Sequence, residues 1–246
     1  MSRRRFFVSN IHHGQAELIG DDAHHLVRVL RVETGQRYEI SDGASVYLAT
    51  VAEARKSRVV FDMGERVPLK QLPVQVTLAF ALIKFDRLEW ILEKGTEAGV
   101  AVFLPVMAER SEKGLEKAAA KRSERWERVI VEAAQQSRRD ALPVLRQPVP
   151  LGEAAAGVDA DVRLLLDEAP GVTPLLSALP VPLKATAHVA LMLGPEGGWT
   201  DEERLTLTTA GWSPVSLGPQ ILRAETAAVA GVCVVMSAWS AWASKA

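Results

Sequence analysis

A chain of 246 residues, 48% hydrophobic and 24% charged, has enough apolar material to bury a sizeable core and is not a disordered polymer. Its formal net charge of −1 excludes a globally basic protein, so any nucleic acid would have to be met by a local patch. The single cysteine, Cys233, excludes an internal disulfide and favours a reducing compartment; its apolar surroundings read as those of a small buried hydrophobe rather than a nucleophile.

The chain begins with Arg3, Arg4 and Arg5, but no long apolar segment follows and no secretory leader is expected. Glu17–Ile19, Arg37–Ile40, Val46–Val51 and Val59–Met63 read as short strands, split by turn signals at Asp21-Asp22, Thr34-Gly35, Asp42-Gly43 and Met63-Gly64. His24–Leu30 reads as one or two helical turns. Many short strands close together suggest a barrel, and a boundary is expected near Pro68–Pro73.

Beyond that boundary strands and helices alternate. Val74–Leu82 is a strand-length apolar run. Asp86 opens a helix with Glu89 at the reciprocal capping position, Leu88, Ile91 and Leu92 form its apolar stripe, and Gly99 closes it. Val100–Val106 is the next strand. A long polar helix over Leu115–Arg139 turns Trp126, Val129, Ile130 and Ala133 inward. Pro143–Pro150 and Leu175–Lys184 read as loops, and Arg163–Leu166 and His188–Leu193 as strands. Thr200 and Glu203 form a capping box for a helix ending at Gly211, and Pro214–Leu217 is a last strand. The run Ala227–Ala243 falls short of the ~20 apolar residues of a membrane span and reads as a buried helix packed closely on another. The alternation predicts a mainly parallel sheet covered on both faces.

Ligands of open parallel sheets bind beyond the carboxyl ends of the strands. Two strand ends carry related loops, Leu193-Gly194-Pro195-Glu196-Gly197-Gly198 and Leu217-Gly218-Pro219-Gln220. Glycine admits close backbone approach and proline stiffens the loop, so the pair could offer backbone donors and acceptors to the edge of a planar ligand such as adenine. Either loop alone reads equally well as a tight turn. Ile221-Leu222-Arg223-Ala224-Glu225-Thr226-Ala227 then opens a helix. Thr226 and Glu225 suit plain capping, whereas Arg223 opposes the helix dipole and needs another reason to be there.

Neither loop is a dinucleotide fingerprint or a Walker loop, and no Gly-x-Ser-x-Gly elbow occurs. The five histidines lack metal-ligand spacing, so no metal is expected. Near the start, Arg3, Arg4, Arg5, Arg28, Arg31, His24 and His25 surround Phe6 and Phe7. That pattern suits RNA phosphates and unstacked bases, and equally a solvated charged face.

LGPEGG at Leu193–Gly198 and LGPQILRAETA at Leu217–Ala227 resemble the small-subunit ribosomal RNA methyltransferase E family, uridine-N3 methyltransferases of the SPOUT class. The resemblance extends over Arg5–Val8, His24–Arg31, Lys84, Asp86–Trp90, Lys94, Thr96-Glu97, Glu132–Ala134 and Gln136-Ser137. It departs at Ile83 and Phe85, where proline and glycine are common, at Gly95 for alanine, at Arg138 for glycine, and at Gln220 for arginine.

The resemblance implies an α/β protein. Residues 1–70 would form a PUA-like RNA-gripping β-barrel, and residues 71–246 a SPOUT domain with a deep trefoil knot. It implies bent S-adenosyl-L-methionine as cofactor, a homodimer meeting near the C-terminal helix, and a cytoplasmic enzyme acting on 16S rRNA of the 30S subunit. Cofactor contacts would come from Leu193, Gly194, Glu196, Gly197, Gly198, Leu217, Gly218, Ile221, Leu222 and Thr226, with Glu196 facing the sulfonium. Arg223 would stabilise the uracil anion and Glu225 would take the N3 proton. Arg5, His25, Arg28, Arg31, Lys84 and Arg139 would contact the RNA. The alternatives are the same fold acting on another RNA or on a ribose 2′-oxygen, and a non-enzymatic RNA-binding assembly factor.

Overall fold

The computed structural model describes residues 4–70, 72–112, 114–180 and 187–243, so Arg3 and the end of the Leu175–Lys184 loop lie outside the described residues. The chain forms two compact units, Met1–Gln71 with Ala134–Leu142, and Leu72–Ala133 with Pro143–Ala246.

The first unit contains β1 (Arg5–Phe7), β2 (Ile11–His12), β3 (Gln15–Ile19), α1 (Gly20–Arg28), β4 (Arg37–Ser41), β5 (Val46–Arg55) and β6 (Arg58–Val67). The strands lie in the order β1-β4-β5-β6-β3-β2, with β1 parallel to β4 and the remaining ladders antiparallel. The ladder does not close, so the unit is a half-barrel with β1 and β2 at its edges. Alternation does the sorting: in β3, Ala16 and Leu18 point inward while Gln15, Glu17 and Ile19 face water. Phe6, Leu26, Ile40, Val51 and Phe61 complete the core.

Gly64 differs from its sequence reading. It is no turn but lies inside β6, where a Cβ would sit 2.5 Å from the Leu48 carbonyl oxygen. The register between β5 and β6 shifts there, and glycine in a strand commonly marks such a close approach.

Arg5 also departs from expectation. Its side chain is 4% exposed and paired with Glu39 at 2.9 Å and with Asp140, and its guanidinium donates to the Arg138 carbonyl at 3.0 Å. Asp140 in turn accepts from the Lys70 amide, and its carbonyl accepts from the Ser41 hydroxyl at 2.7 Å. Arg5 therefore fastens the Ala134–Leu142 segment to the half-barrel and has no free face for a phosphate.

The second unit begins with β7 (Gln75–Ala81), α2 (Phe85–Ala98), β8 (Val102–Met107), α3 (Leu115–Ala119) and α4 (Ser123–Ser137). It continues with β9 (Val144–Leu145), β10 (Val149–Pro150), α5 (Leu151–Gly157), β11 (Val162–Leu166), β12 (Thr173–Pro174) and α6 (Leu175–Ala178). Last come β13 (His188–Leu193), α7 (Asp201–Thr209), β14 (Ser213–Ser216) and α8 (Ala224–Ala243). Every ladder is parallel, in the order β10-β8-β7-β13-β11-β14-β12 with β9 also on β8. β11 thus lies between β13 and β14, and spatial order does not follow chain order.

Both sheet faces are covered, which is why the strands read as continuous apolar runs. Leu78, Phe80, Val189 and Leu191 pack with Leu88, Leu92, Val232 and Val235 of α2 and α8. Ala79, Ala190 and Met192 pack on the other face with Ala154, Leu207 and Trp212.

The helix signals succeed and fail for local reasons. Gly99 closes α2 at φ 112°, and Thr200 and Glu203 form the expected capping box. At the start of α2, Lys84 holds the cap position without a side-chain bond, and Glu89 is drawn instead to Arg125 at 2.6 Å and Arg122 at 3.4 Å. The long polar helix is broken by a 3-10 turn at Ala120–Arg122. Cys233 is exposed on α8 rather than buried, because the inward stripe there is Ala228, Val232 and Val235.

Candidate active site

Parallel pairing of β13, β11 and β14 brings their carboxyl ends to one rim. The loops leaving them enclose a cavity of about 950 Å³, within the usual range for small-molecule sites. Leu193, Gly194, Glu196 and Gly198 line it from the first Leu-Gly-Pro loop, and Leu217, Gly218, Ile221, Leu222 and Arg223 from the second. The two loops singled out in the sequence therefore face one space. Gly218 has φ 131° and open space around its Cα, which is the backbone freedom its loop needs. Gly194 is glycine for a different reason: a Cβ would stand 3.0 Å from the Trp199 ring.

A third wall escaped the sequence reading. The segment Asp167 to Val172, together with Pro174, follows β11 and lines the same cavity. The strand was legible, and extending the carboxyl-end rule to it would have found its loop. Arg87 and Arg204, also unassigned from sequence, complete the charged lining.

The charges pair in a definite way. Arg204 meets Asp167 at 2.8 Å and donates to the Trp199 carbonyl at 2.9 Å. Arg87 meets Glu196 at 2.9 Å. Glu196, expected beside the sulfonium, thus lines the cavity while paired with an arginine. Hydrogen bonding to Asp167, with that carboxylate's charge, pushes the Arg204 guanidinium pKa further up. Arg223 is exposed, and its side chain forms no hydrogen bond or ion pair among the described residues.

Other anticipated residues fall outside the cavity lining. The Gly197 carbonyl accepts from Arg110 at 2.8 Å, and a Cβ on Gly197 would press on the Arg110 stem at 3.3 Å. Thr226 is exposed on α8. Glu225 does not line the cavity, and its Oε2 is buried without a hydrogen-bond partner among the described residues. Of the RNA candidates in the first unit, His25, Arg28 and Arg31 are exposed, at the end of α1 and just beyond it. Arg139 is half-buried, and burial pushes its guanidinium pKa down while Asp140 opposes the shift. Lys84, in the second unit, is exposed at the start of α2.

Comparison with known proteins agrees with this geometry. Residues 70–236 match the RNA methyltransferase domain family, and residues 18–63 the RNA methyltransferase PUA domain family. The chain is 36% identical over 210 residues to ribosomal RNA small subunit methyltransferase E of Synechocystis sp., covering 83% of this chain and 67% of that protein. It is 34% identical over 219 residues to the Bacillus subtilis protein of the same name, covering 85% of each. A crystal structure of ribosomal RNA small subunit methyltransferase E from Neisseria gonorrhoeae, bound to S-adenosyl methionine, matches with a TM-score of 0.87 at 27% identity, over 97% of this chain and 98% of that one. With a PUA half-barrel unit, and a parallel α/β unit whose cavity joins both Leu-Gly-Pro loops, the chain belongs to the ribosomal RNA small subunit methyltransferase E family.

Proposed function

We propose that this protein transfers a methyl group from S-adenosylmethionine to N3 of a uridine in 16S ribosomal RNA. The observation that carries the reading is the cavity bounded by both Leu-Gly-Pro loops, with an arginine among its lining residues, Arg223, that pairs with no other described residue. The residues present fit the cofactor: glycine-rich backbone for adenine, with apolar Leu193, Leu217 and Leu222 beside it.

The bound cofactor supplies an electrophilic methyl group. What the chain must supply is acceptor activation, because uridine N3 is a poor nucleophile until it loses its proton. The Arg223 guanidinium stabilises the negative charge that then spreads onto the uracil carbonyl oxygens. In the transfer a nitrogen–carbon bond would replace the cofactor's sulfur–carbon bond, whose electron pair would stay on sulfur. Glu225 is outside the cavity lining, so the N3 proton is assigned to solvent rather than to its carboxylate. The target base leaves its stack to enter the cavity.

On this reading residues 1–70 grip RNA, with His25, Arg28 and Arg31 as phosphate and base contacts, joined by Lys84 from the region 71–246. That second region carries cofactor binding and pairing with a second copy. Pairing through α8 is supported by its composition: Ala224–Trp242 has a mean hydropathy of 1.4, yet only 39% of that helix window is buried within one chain. The same apolar length would pass for a membrane span, but one face of α8 packs on α2 and the sheet. The reaction is placed in the cytoplasm, with the ribosomal small subunit.

The test is methyl transfer from labelled S-adenosylmethionine to 30S subunits lacking the modification, followed by identification of the product nucleoside. N3-methyluridine in 16S RNA is expected. A 2′-O-methyl product would keep the enzyme and change the atom, and cofactor binding without any transfer would overturn the substrate.

A further inference from the structure

Six charged side chains line the cavity: Arg87, Asp167, Glu168, Glu196, Arg204 and Arg223. Four cancel in pairs, Arg87 with Glu196 at 2.9 Å and Arg204 with Asp167 at 2.8 Å. Among the described residues, Glu168 forms no ion pair and no side-chain hydrogen bond. After pairing, the lining presents one uncommitted cation, Arg223, and one uncommitted anion, Glu168.

The fold holds Glu168 in place through its neighbour. The Asp167 amide donates to the Val215 carbonyl at 2.9 Å, and the Asp167 carboxylate grips Arg204 and accepts from the Ala169 amide at 3.2 Å. That anchors the chain on both sides of Glu168. The Glu168 carboxylate then comes near the end of the first Leu-Gly-Pro loop: a Cβ on Gly198 would lie 3.9 Å from its Oε1. Gly198 has φ 68°, a conformation that keeps glycine there and leaves the space beside the carboxylate open.

We propose that Glu168 binds the ribose of the cofactor, accepting hydrogen bonds from its vicinal hydroxyls. The inference rests on the cofactor reading above. The two Leu-Gly-Pro loops are assigned to adenine, and the ribose is the group joined directly to adenine, so a carboxylate beside Gly198 is next to the ribose position. A carboxylate is an acceptor with two oxygens, suited to two adjacent hydroxyl donors, and acidic residues take this role toward nucleotide ribose in other α/β proteins. Arg223, of opposite sign, is left free for the substrate.

Calorimetric titration separates the outcomes. Wild-type protein is titrated with S-adenosylmethionine, S-adenosylhomocysteine and 5′-methylthioadenosine, which lacks the amino-acid end but keeps adenine and ribose. Wild-type binding of S-adenosylmethionine tests the cofactor reading on its own. In Glu168→Ala, the Kd of all three ligands is expected to rise about tenfold or more, because each loses a charged hydrogen-bond partner. Glu168→Gln, which keeps one acceptor oxygen, is expected to fall between. Weakening of the two amino-acid-bearing ligands but not of 5′-methylthioadenosine would overturn the ribose assignment. Unchanged affinity for all three would remove Glu168 from the site. Glu168 is exposed, so neither variant threatens the fold, and a thermal melt verifies that.

Discussion

Arg204 and Asp167 meet in a two-point ion pair, Nε to Oδ2 at 2.8 Å and Nη2 to Oδ1 at 3.3 Å, joining α7 to the loop that follows β11. The carboxylate is 3% exposed, and the same arginine holds the Trp199 carbonyl. Two walls of the cavity are thereby fixed to each other. Lysine cannot reproduce a planar two-point contact. Arg204→Lys is therefore expected to weaken S-adenosylmethionine binding about fivefold, consistent with loss of about 1 kcal/mol, while the circular dichroism spectrum stays unchanged. Calorimetry checks it, and unaltered affinity would show that the cavity walls hold without this pair.

Arg223→Ala tests the chemistry. Arg223 is exposed and has no side-chain partner among the described residues, so it can be removed without a structural penalty. Turnover on 30S subunits is expected to fall about a hundredfold, the usual effect of losing one group that stabilises developing charge. Cofactor affinity should be nearly unchanged. Near-normal turnover would remove Arg223 from the catalytic step.

Arg28 and Arg31 are exposed cations assigned to phosphates. Replacing both with alanine is expected to reduce the slope of log affinity against log salt by about 1.5, as for two single-stranded phosphate contacts. A parallel displacement of the line without a change of slope would show that neither touches the backbone of the RNA.

Arg5→Met is expected to act through stability instead. Asp140 and Glu39 would be left facing each other in a largely buried site, and breaking such a pair costs about 3 kcal/mol or more. The melting temperature of the first unit should fall by several degrees. Loss of RNA affinity without a lower melting temperature would restore Arg5 as an RNA contact.

The Glu89 carboxylate is held below its ordinary pKa of 4.5, mainly by its hydrogen bond from Arg125, with burial opposing. A carboxyl group with a lowered folded-state pKa contributes stability above its unfolded pKa and loses it as pH falls through the folded value. Glu89→Gln should therefore be less stable than wild type at pH 7, by about 1 kcal/mol. That gap should close in chemical denaturation as pH falls below 4.5 and through the lowered folded-state value. A gap independent of pH would point to packing rather than charge.

The sequence was most legible where local chemistry and tertiary context agree. β13, the Thr200–Glu203 box and the Gly99 terminator lie where pattern and capping place them, because each depends on neighbours only a few residues away. β1 and β2, three and two residues long, carry too little periodicity to see and exist through their ladders with β4 and β3. Gly64 misled because a glycine for close approach and a glycine for a turn look alike in one dimension. Glu89 was claimed by Arg125, thirty-six residues on, which no local box could foretell. In the site, both Leu-Gly-Pro loops stood out as repeated motifs. The Asp167–Val172 loop carries no repeat, and only the carboxyl-end rule applied to β11, which lies between β13 and β14, points to it.

That placement bears on the order in which the protein is made. Gln75 of β7 pairs with His188 of β13, and Leu164 of β11 pairs with Ser213 of β14. As the chain emerges from the ribosome, β7 and β8 can join early, but the inner edge of β7 must wait for β13 to be synthesised. The cavity is a late product of synthesis, since its last wall follows β14. Cofactor binding then reports a chain in which β14 and the loop after it have already joined the sheet.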